Sequence, residues 1–406
     1  MVITSPRART DRPMPPSRPA TRRHFITGQA ALMALQDKAA GAALGDGLAP
    51  TPFAQFDAAP QPTFLRYVRS AMASDFQLLL PAGGSGMVDE QPVDVVVEAL
   101  DLLEPLEAQL TIYRETSDVL EINRRAAVEP VEVEPGLFGL LETALELHRE
   151  TGGAYDITSG PLSQAWGFAR RQGAVPDAAT LAVARANVGS EKVVLDRASR
   201  TVRFRQPGVQ INFNSMGKGY AVDRCGAYLQ AAGFRNFLWH GGQSSVLARG
   251  TALGGFGSGA AEPAASDSGD GSASPPQSDG WVIGIGHPLR PERRLAELVL
   301  QDQAAGTSGA GFQFFRHAGK RYGHILDPRT GMPAEDVFTV TVVAPTALLA
   351  DALSTAFYVL GFDGAAAYCD RHPEVGFLML LPVKSGSAVE VAVCGLDDDT
   401  WRLTAS

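Results

Sequence analysis

The sequence predicts a mixed α+β fold in which helices pack on at least one largely antiparallel sheet. Residues 64–81 alternate apolar and polar side chains, which is typical of a β-strand. Residues 93–113 instead repeat apolar side chains every three or four positions, which is typical of a helix. Residues 192–213 contain a "DRAS" turn between two strand-like runs and therefore predict a hairpin.

Further helices and strands alternate along the chain. Residues 136–156 predict a second helix that stops at Gly152-Gly153, because glycine readily adopts the conformation that ends a helix. Two more helices are expected at 178–189 and at 218–234, the latter ending at Gly233. Strands are expected over the segments 235–242, 281–288 and 294–301.

Composition limits the classes of protein to which the chain can belong. It has 406 residues, of which 45% are hydrophobic and 19% are charged, as in ordinary globular proteins. Its net charge of -9 argues against a nucleic-acid binder. The three cysteines form no zinc motif or disulfide framework, so we expect them to be small buried residues. Because no uninterrupted apolar run reaches about 18 residues, we expect no transmembrane segment.

Two segments are not expected to fold into the domain at 61–402. Residues 1–60 are an export-signal-like tail and linker, in which "TRRHF" resembles a twin-arginine signal. This stretch predicts a periplasmic or otherwise exported protein, although a degenerate remnant or a plain basic tail also fits. No cysteine follows it, so a lipoprotein anchor is not expected. Residues 251–280 are rich in Gly, Ser, Ala and Pro and predict a disordered surface insertion.

Asp351 and Thr355 are candidates for a metal site, because they are four residues apart on an apolar helix at 348–361. Their oxygens would project from one face, one turn apart. A carboxylate is costly to bury without a cation, and Mg²⁺ prefers such oxygen ligands. The alternative is an exposed Asp351, with the Thr355 hydroxyl bonded to its own helix.

His324 and Asp327 interrupt a strand-like run that ends in the turn signal Pro328-Arg329-Thr330-Gly331. His324 could act as a general acid or base, since its ordinary pKa is near neutrality. It could equally be a structural histidine. Asp327, which precedes a proline, is expected to form the turn.

Residues 212–223 open a helix with small and polar side chains, an arrangement that lets backbone N–H groups approach an anion. Lys218 adds a cation there, although the spacing is not that of a P-loop. Gly241-Gly242 indicates either a close backbone approach or a simple turn. The loop around Asp156 could hold a ligand, and Tyr113 could stack on a planar ring or merely pack.

Seven segments together resemble the ApbE-type family of FAD:protein FMN transferases, over about residues 64–361. In chain order they are "YRETSDVLEIN", "TGGAYDITSGPLSQAWGF", "MGKGYAVD", "HGG", "AGTSGAGFQFF", "GHILDPRTG" and "ADALSTA". The resemblance implies an ApbE-like, T-fold-like α+β domain. It also implies an Mg²⁺-dependent enzyme that moves FMN from FAD onto a Thr or Ser hydroxyl of a target flavoprotein and releases AMP.

The same resemblance implies roles for particular residues. Asp351 and Thr355 would bind the metal with a backbone oxygen near Ser215, and His324 and Asp351 would be the catalytic residues. Contacts to the flavin and nucleotide would come from Met72, Tyr113, Ala154, Tyr155, Asp156, Asn212, Lys218 and Ile325.

The chain departs from the family pattern at three places, one of which is the glycine-rich insertion at 251–280. The family commonly has Asp where this chain has Asn212, and Met-Gly-Thr where it has Met72-Ala73-Ser74. Two alternative functions therefore remain open: an FAD pyrophosphatase that gives FMN and AMP, and a non-enzymatic FAD-binding protein.

Overall fold

A nine-stranded antiparallel sheet divides the molecule into two faces. The computed structural model of the protein describes residues 22–26, 64–82, 93–252, 280–309, 311, 313–383 and 388–404. The strands are β1 (Arg22–Ile26), β2 (Phe64–Ala71), β3 (Ser74–Pro81), β4 (Val131–Glu132), β5 (Val193–Asp196), β6 (Thr201–Phe204), β7 (Phe237–Gly241), β8 (Ser245–Arg249), β9 (Trp281–His287), β10 (Arg290–Leu300), β11 (Ala304–Gly309), β12 (Phe314–His317), β13 (Lys320–Gly323), β14 (Thr339–Ala344), β15 (Gly376–Pro382), β16 (Val389–Cys394) and β17 (Trp401–Leu403). The large sheet has the order β1-β16-β15-β14-β11-β8-β7-β3-β2.

Eight α-helices accompany the sheets in the part of the chain that the structure describes. They are α1 (Val93–Asp101), α2 (Leu103–Leu110), α3 (Asp118–Arg125), α4 (Pro135–Glu150), α5 (Gly160–Ala165), α6 (Ala178–Ala186), α7 (Gly217–Ala231) and α8 (Ala347–Cys369). The smaller sheets are β17-β10-β9, β4-β6-β5 and the hairpin β12-β13. The predicted α+β class, with a large antiparallel sheet and packed helices, is confirmed.

The large sheet is buried on both faces, so its central strands carry apolar residues at successive positions. In β7, Phe237 and Trp239 join the core beneath the helices, whereas Leu238 joins the core against β9 and β10. In β15, Met379 joins the core beneath the helices and Leu378 joins the core against β9 and β10. Alternate side chains of a strand point to opposite faces, which explains the division. The protein is therefore layered as helices, large sheet and small sheet.

Two glycines allow α8 to lie unusually close to its neighbours. A side chain at Gly219 in α7 would meet the Ala347 carbonyl oxygen at 2.2 Å. One at Gly306 in β11 would meet the Ala350 carbonyl oxygen at 2.4 Å. No residue with a Cβ fits at either place without a backbone shift. Glycine thus brings α7, α8 and β11 together at one point.

Two predicted elements have different limits in the structure. The helix expected over 93–113 is divided into α1 and α2, because Pro105 has no N–H to donate to the carbonyl of Asp101. The strand expected around His324 ends at Gly323, so the prediction that His324 lies on a strand was wrong. The Gln313 carbonyl accepts the His324 backbone N–H at 3.2 Å and holds the chain in a bend.

The two segments predicted to lie outside the packed domain are only partly described. Within residues 1–60, to which no regular structure had been assigned, Arg22–Ile26 forms β1 and pairs with β16 at an edge of the large sheet. The other residues of this tail are outside the described part of the chain, as are residues 253–279 of the predicted insertion. The flanks of the insertion are strands as expected, but β8 belongs to the large sheet and β9 to a smaller one.

Among the described residues, α8 is the one helix long and apolar enough to cross a membrane by length and composition. We expected no such segment because no uninterrupted apolar run is long enough. The criterion that α8 meets uses only the length and the mean composition of a helix. The helix packs against β11 and β14 as part of the core, and Gly361 interrupts its helical backbone. All three cysteines are buried and form no disulfide, as predicted.

Candidate active site

Asp351 lies where α8 crosses α7 and the large sheet, and only 6% of its surface is exposed. Its Oδ2 accepts hydrogen bonds from the Gly219 backbone N–H at 2.8 Å and from Ser245 Oγ at 2.7 Å. Its Oδ1 accepts none from the residues that the structure describes. Burial raises the pKa of Asp351 to about 7, although Ser245, Lys218 and the Gly219 amide act to lower it. This carboxylate is thus largely buried, and described protein groups bind only one of its two oxygens.

A cluster of three hydroxyl groups adjoins Asp351, and two of them come from the same helix. Ser308 Oγ, from β11, lies 2.7 Å from Ser354 Oγ and 3.2 Å from Thr355 Oγ1. Ser354 donates to the backbone carbonyl of Asp351 at 2.8 Å. With the carboxylate, these groups form a set of oxygen donors, which suits a hard cation such as Mg²⁺.

The N-terminus of α7 contributes positive charge beside Asp351. Helix N-termini carry exposed N–H groups and a partial positive charge, and here the Gly219 amide is turned to Asp351. The charge of Lys218 acts to lower the pKa of Asp351. The Lys218 side chain passes Gly242, whose φ of 65° places it in the left-handed region where glycine is favoured. The predicted Lys218 segment and the predicted Gly241-Gly242 turn therefore meet at Asp351.

Tyr155 links the predicted residue Ser215 to this region. Ser215 Oγ donates to the Tyr155 hydroxyl at 3.1 Å. Burial raises the pKa of Tyr155, and the charges of Asp351 and Asp156 raise it further. Tyr155 is thus neutral and buried, and its hydroxyl lies close enough to Asp351 for that charge to raise its pKa. Ala154, its neighbour, is buried as well.

The carboxylate of Asp156 is fully occupied by the protein itself. Its Oδ1 accepts from the Thr158 backbone at 2.7 Å, from Thr158 Oγ1 at 2.6 Å and from Ser190 Oγ at 2.7 Å. Its Oδ2 accepts from the Ser190 backbone at 3.0 Å and lies 3.1 Å from His148 Nδ1. Burial acts to raise the pKa of Asp156, but these hydrogen bonds and His148 outweigh it, so the pKa is lowered. The protein thus holds this carboxylate in place, and a role of Asp156 toward FAD stays a prediction.

His324 is half-buried at the base of the β12-β13 hairpin. Its Nδ1 lies 3.1 Å from the Gln313 carbonyl oxygen, and burial lowers its pKa. Because a carbonyl only accepts, Nδ1 carries the proton and Nε2 keeps its lone pair in the neutral ring. Ile325, the next residue, is buried in the main core.

The remaining predicted contact residues lie at the surface or near it. Met72 occupies the turn between β2 and β3, and its N–H donates to Glu107 Oε2 at 2.8 Å. That turn lines an open depression of about 440 Å³. Tyr113 is 72% exposed, and Asn212 is half-buried with its N–H bonded to the Ile157 carbonyl at 2.9 Å. Their roles toward FAD stay predictions.

Four further residues, which the sequence patterns did not single out, lie around Asp351 in the structure. Ser245, Ser308 and Ser354 supply hydroxyls, and Asp223 of α7 accepts the Ala347 and Leu348 backbone N–H groups at the start of α8. Burial raises the pKa of Asp223 to about 6. The sequence signal for Ser245 and Ser308 was their position near glycines, in "HGGQSS" and "AGTSGAG", whereas Ser354 lies in "ADALSTA" beside Thr355.

The side chains around Asp351 limit which metal ion could bind there. Within the described ranges, no group of three or more His, Cys, Asp or Glu side chains could hold a metal ion. One carboxylate with several hydroxyls suits Mg²⁺, which often takes one or two protein carboxylates and completes its shell with substrate phosphates and water.

Known proteins resemble this chain along most of its length. Residues 74–379 match the sequence profile described as the ApbE family. A Treponema pallidum protein named FAD:protein FMN transferase is 32% identical over 294 residues, which cover 71% of this chain and 77% of that protein. A protein of the same name from Haemophilus influenzae is 29% identical, covering 69% and 76%.

Solved structures show the same relationship. The ApbE protein of Thermotoga maritima superposes with a TM-score of 0.67 at 25% identity, covering 80% of this chain and 96% of that one. The flavinyl transferase ApbE of Pseudomonas stutzeri gives 0.66 at 26% identity, covering 83% and 96%. The profile match alone spans more than half of the chain, and the chain belongs to the ApbE family.

Proposed function

We propose that this protein is a FAD:protein FMN transferase, which moves FMN from FAD to a target protein. Family membership and relatives that bear this name support the assignment. The observation that carries it is that the carboxylate of Asp351 meets the α7 N-terminus and Ser245, while Thr355, one turn further along α8, lies 3.2 Å from the Ser308 hydroxyl. Cleavage of a pyrophosphate needs such positioning and charge neutralisation more than it needs covalent chemistry.

In the proposed reaction, a Thr or Ser hydroxyl oxygen of the target bonds to the FMN phosphorus while the bond to the AMP oxygen breaks. The hydroxyl proton leaves as the new bond forms, and AMP is released. Lys218 and the N–H groups at the start of α7 would bind the negatively charged pyrophosphate. Mg²⁺, held by Asp351 and Thr355 with a backbone oxygen near Ser215, would neutralise charge on the phosphates when bound.

His324 is the candidate for the group that accepts the hydroxyl proton. Burial lowers its pKa, which keeps the ring neutral near pH 7, and the Gln313 carbonyl fixes the proton on Nδ1. Nε2 then has the lone pair that a general base requires. Asp351, whose pKa burial raises to about 7, would become fully ionised on binding a cation.

The twin arginine supports a further proposal, that the protein is exported. Arg22 and Arg23 begin β1, whose backbone pairs with β16. Replacing both arginines with lysine should retain the protein in the cytoplasm, which fractionation of a tagged full-length chain would measure. Export of the variant at the original level would contradict the proposal.

The enzyme assay separates the three candidate functions. Purified protein is incubated with FAD and Mg²⁺, with and without a flavoprotein fragment that carries an acceptor Thr, and AMP and the mass of the fragment are measured. AMP together with a mass increase of one FMN supports the transferase. AMP that forms equally without the fragment indicates a pyrophosphatase. FAD that stays bound and intact indicates a flavin-binding protein.

A further inference from the structure

The β12-β13 hairpin carries an unusual concentration of positive charge for a protein of net charge -9. Its register places Arg316 directly opposite Arg321 and His317 directly opposite Lys320. Like charges at opposed positions destabilise an antiparallel pair. The charges of Arg316 and Arg321 therefore do not favour the pairing of the two strands, so these side chains need another explanation.

The two faces of the hairpin have different environments. Phe315 and Tyr322 stack on each other with ring centroids 5.3 Å apart, and Tyr322 lies 5.4 Å from Trp166. These aromatic contacts fix the inner face on the body of the protein. Alternate residues point the other way, so the outer face is formed by Phe314, Arg316 and Arg321.

The outer face has the chemistry of a binding surface for carboxylates. Phe314 is 45% exposed, and the Arg321 guanidinium lies 4.0 Å from the centre of its ring. Arg316 is exposed and has no carboxylate partner among the residues that the structure describes. Arginine and aromatic side chains dominate the binding energy of protein interfaces, and guanidinium groups bind carboxylates through two hydrogen bonds. Lys320, on the inner face, is already paired with Glu335 at 2.8 Å.

The hairpin is continuous with the candidate active site. His324 follows β13 directly, and the Gln313 carbonyl that holds it precedes β12. The Gln313 side chain bonds the Phe168 carbonyl at 2.9 Å, and Arg170 and Arg171 follow Phe168 as further exposed cations. A segment that lies along the outer face would thus end beside His324.

We propose that the outer face of the β12-β13 hairpin, formed by Phe314, Arg316 and Arg321, docks an acidic, extended segment of the acceptor protein and guides its hydroxyl to His324. The inference rests on the proposed transferase function. It assigns acceptor recognition to residues that take no part in binding FAD.

The test uses three synthetic acceptor peptides that differ only in the residues flanking one Thr: aspartates, asparagines or lysines. Wild-type enzyme is compared with Arg316→Glu, with the double variant Arg316→Glu/Arg321→Glu, and with Arg203→Glu. Arg203 is an exposed strand arginine of β6, in another sheet, so it is matched in exposure and charge change. If a glutamate variant melts early, Arg316→Gln replaces it.

We expect wild-type enzyme to show a KM about fivefold lower for the aspartate peptide than for the asparagine peptide, with kcat nearly equal. The preference should weaken at high salt. The double variant should reverse it and favour the lysine peptide, whereas Arg203→Glu should behave as wild type. This reversal of the peptide preference would not occur if the two arginines had only a structural role.

Three results would overturn the docking proposal. The double variant could discriminate among the peptides as the wild type does. FAD affinity could fall in parallel with the KM effect, which would assign the arginines to the dinucleotide. Vesicles containing phosphatidylserine could bind in an Arg316-dependent way while the peptides show no preference, which would make the surface a membrane contact.

A second measurement distinguishes failure of the proposed transferase function from failure of the docking surface. Binding of fluorescently labelled peptides to the FAD-loaded protein is measured by anisotropy, independently of turnover. Arg316-dependent binding of the aspartate peptide without any FMN transfer would refute the proposed function and leave the docking surface supported. Equal binding of all three peptides would refute the docking surface alone.

Discussion

Asp156 and Asp351 are both buried carboxylates, yet they differ in their hydrogen-bond partners and in the direction of their pKa shifts. Asp156 uses both oxygens for protein donors, and its pKa is lowered despite burial. Asp351 uses only Oδ2 within the described residues, and burial raises its pKa to about 7. A buried charge needs hydrogen-bond partners or a cation, so a carboxylate with an oxygen left over can accept a ligand. From this difference we propose Asp351 as the functional carboxylate and a mainly structural role for the carboxylate of Asp156.

Replacing Asp351 with asparagine should produce the largest change in activity. We expect kcat/KM for FMN transfer to fall by about 10²- to 10³-fold, since charge neutralisation at the pyrophosphate is lost. Asparagine can still accept from Gly219 and Ser245, so the melting temperature should stay the same or rise. Activity is measured as AMP release and stability by calorimetry. An Asp351→Asn enzyme with full activity would remove this residue from the metal site.

Replacing Asp156 with asparagine should instead reduce stability. The amide cannot accept all the hydrogen bonds of the carboxylate, and His148 loses its charged partner. We expect a loss of about 3 kcal/mol in the free energy of unfolding. Denaturant titration measures it, with kcat of the folded fraction as the control. If stability is retained and only activity is lost, the two carboxylates have been assigned in the wrong order.

The Asp156–His148 pair also predicts how stability depends on pH. Burial acts to lower the pKa of His148, but Asp156 outweighs it and raises the pKa, whereas the pKa of Asp156 is lowered. The contribution of Asp156 is therefore lost as pH falls through its lowered folded-state pKa. The contribution of His148 is lost as pH rises through its raised one. The pair stabilises most between about pH 4 and 6.5.

Denaturant titrations of wild type and Asp156→Asn across this range test the prediction. The gap in stability between the two proteins should be widest near pH 5 to 6 and narrower outside the window. A gap that does not vary with pH would show that the pair is not coupled by charge.

Thr355 should have a smaller effect than Asp351, because a neutral hydroxyl is a weaker ligand than a carboxylate. Thr355→Val preserves the shape of the side chain and should raise the Mg²⁺ concentration for half-maximal activity by about tenfold. Thr341→Val on β14 is the matched control, since Thr341 bonds Thr307 at 2.9 Å within the sheet. Equal Mg²⁺ requirements in the two variants would exclude Thr355 as a ligand.

The smallest effect is expected at the turn between β2 and β3. Ala73 has a φ of 55°, in the left-handed region that glycine adopts more easily. Ala73→Gly should therefore stabilise the protein by about 0.5–1 kcal/mol. Ala182→Gly makes the same change within α6, where it should cost about 1 kcal/mol. Destabilisation by both would show that the turn accommodates Ala73 without strain.

Much of the local structure was determined by short-range sequence rules. The stop of α4 at Gly152-Gly153 was predicted, and both glycines have positive φ angles of 58° and 80°. The i, i+4 spacing of Asp351 and Thr355 on one helix was predicted too. These features depend on backbone sterics and helix geometry within a few residues, so the chain specifies them locally.

Contacts between distant segments could not be predicted from such short-range rules. Ser245 and Ser308 reach α8 only because the sheet order places β8 beside β11 and because Gly306 lets the helix approach. Asp156 looked like part of a ligand loop, and only the packing of Ser190 and His148 around it showed a satisfied carboxylate. The sequence by itself determined the elements, the turns and the helix that bears Asp351. The tertiary structure alone decided which buried charge has partners, because hydrogen-bond satisfaction depends on groups that lie far apart in the chain.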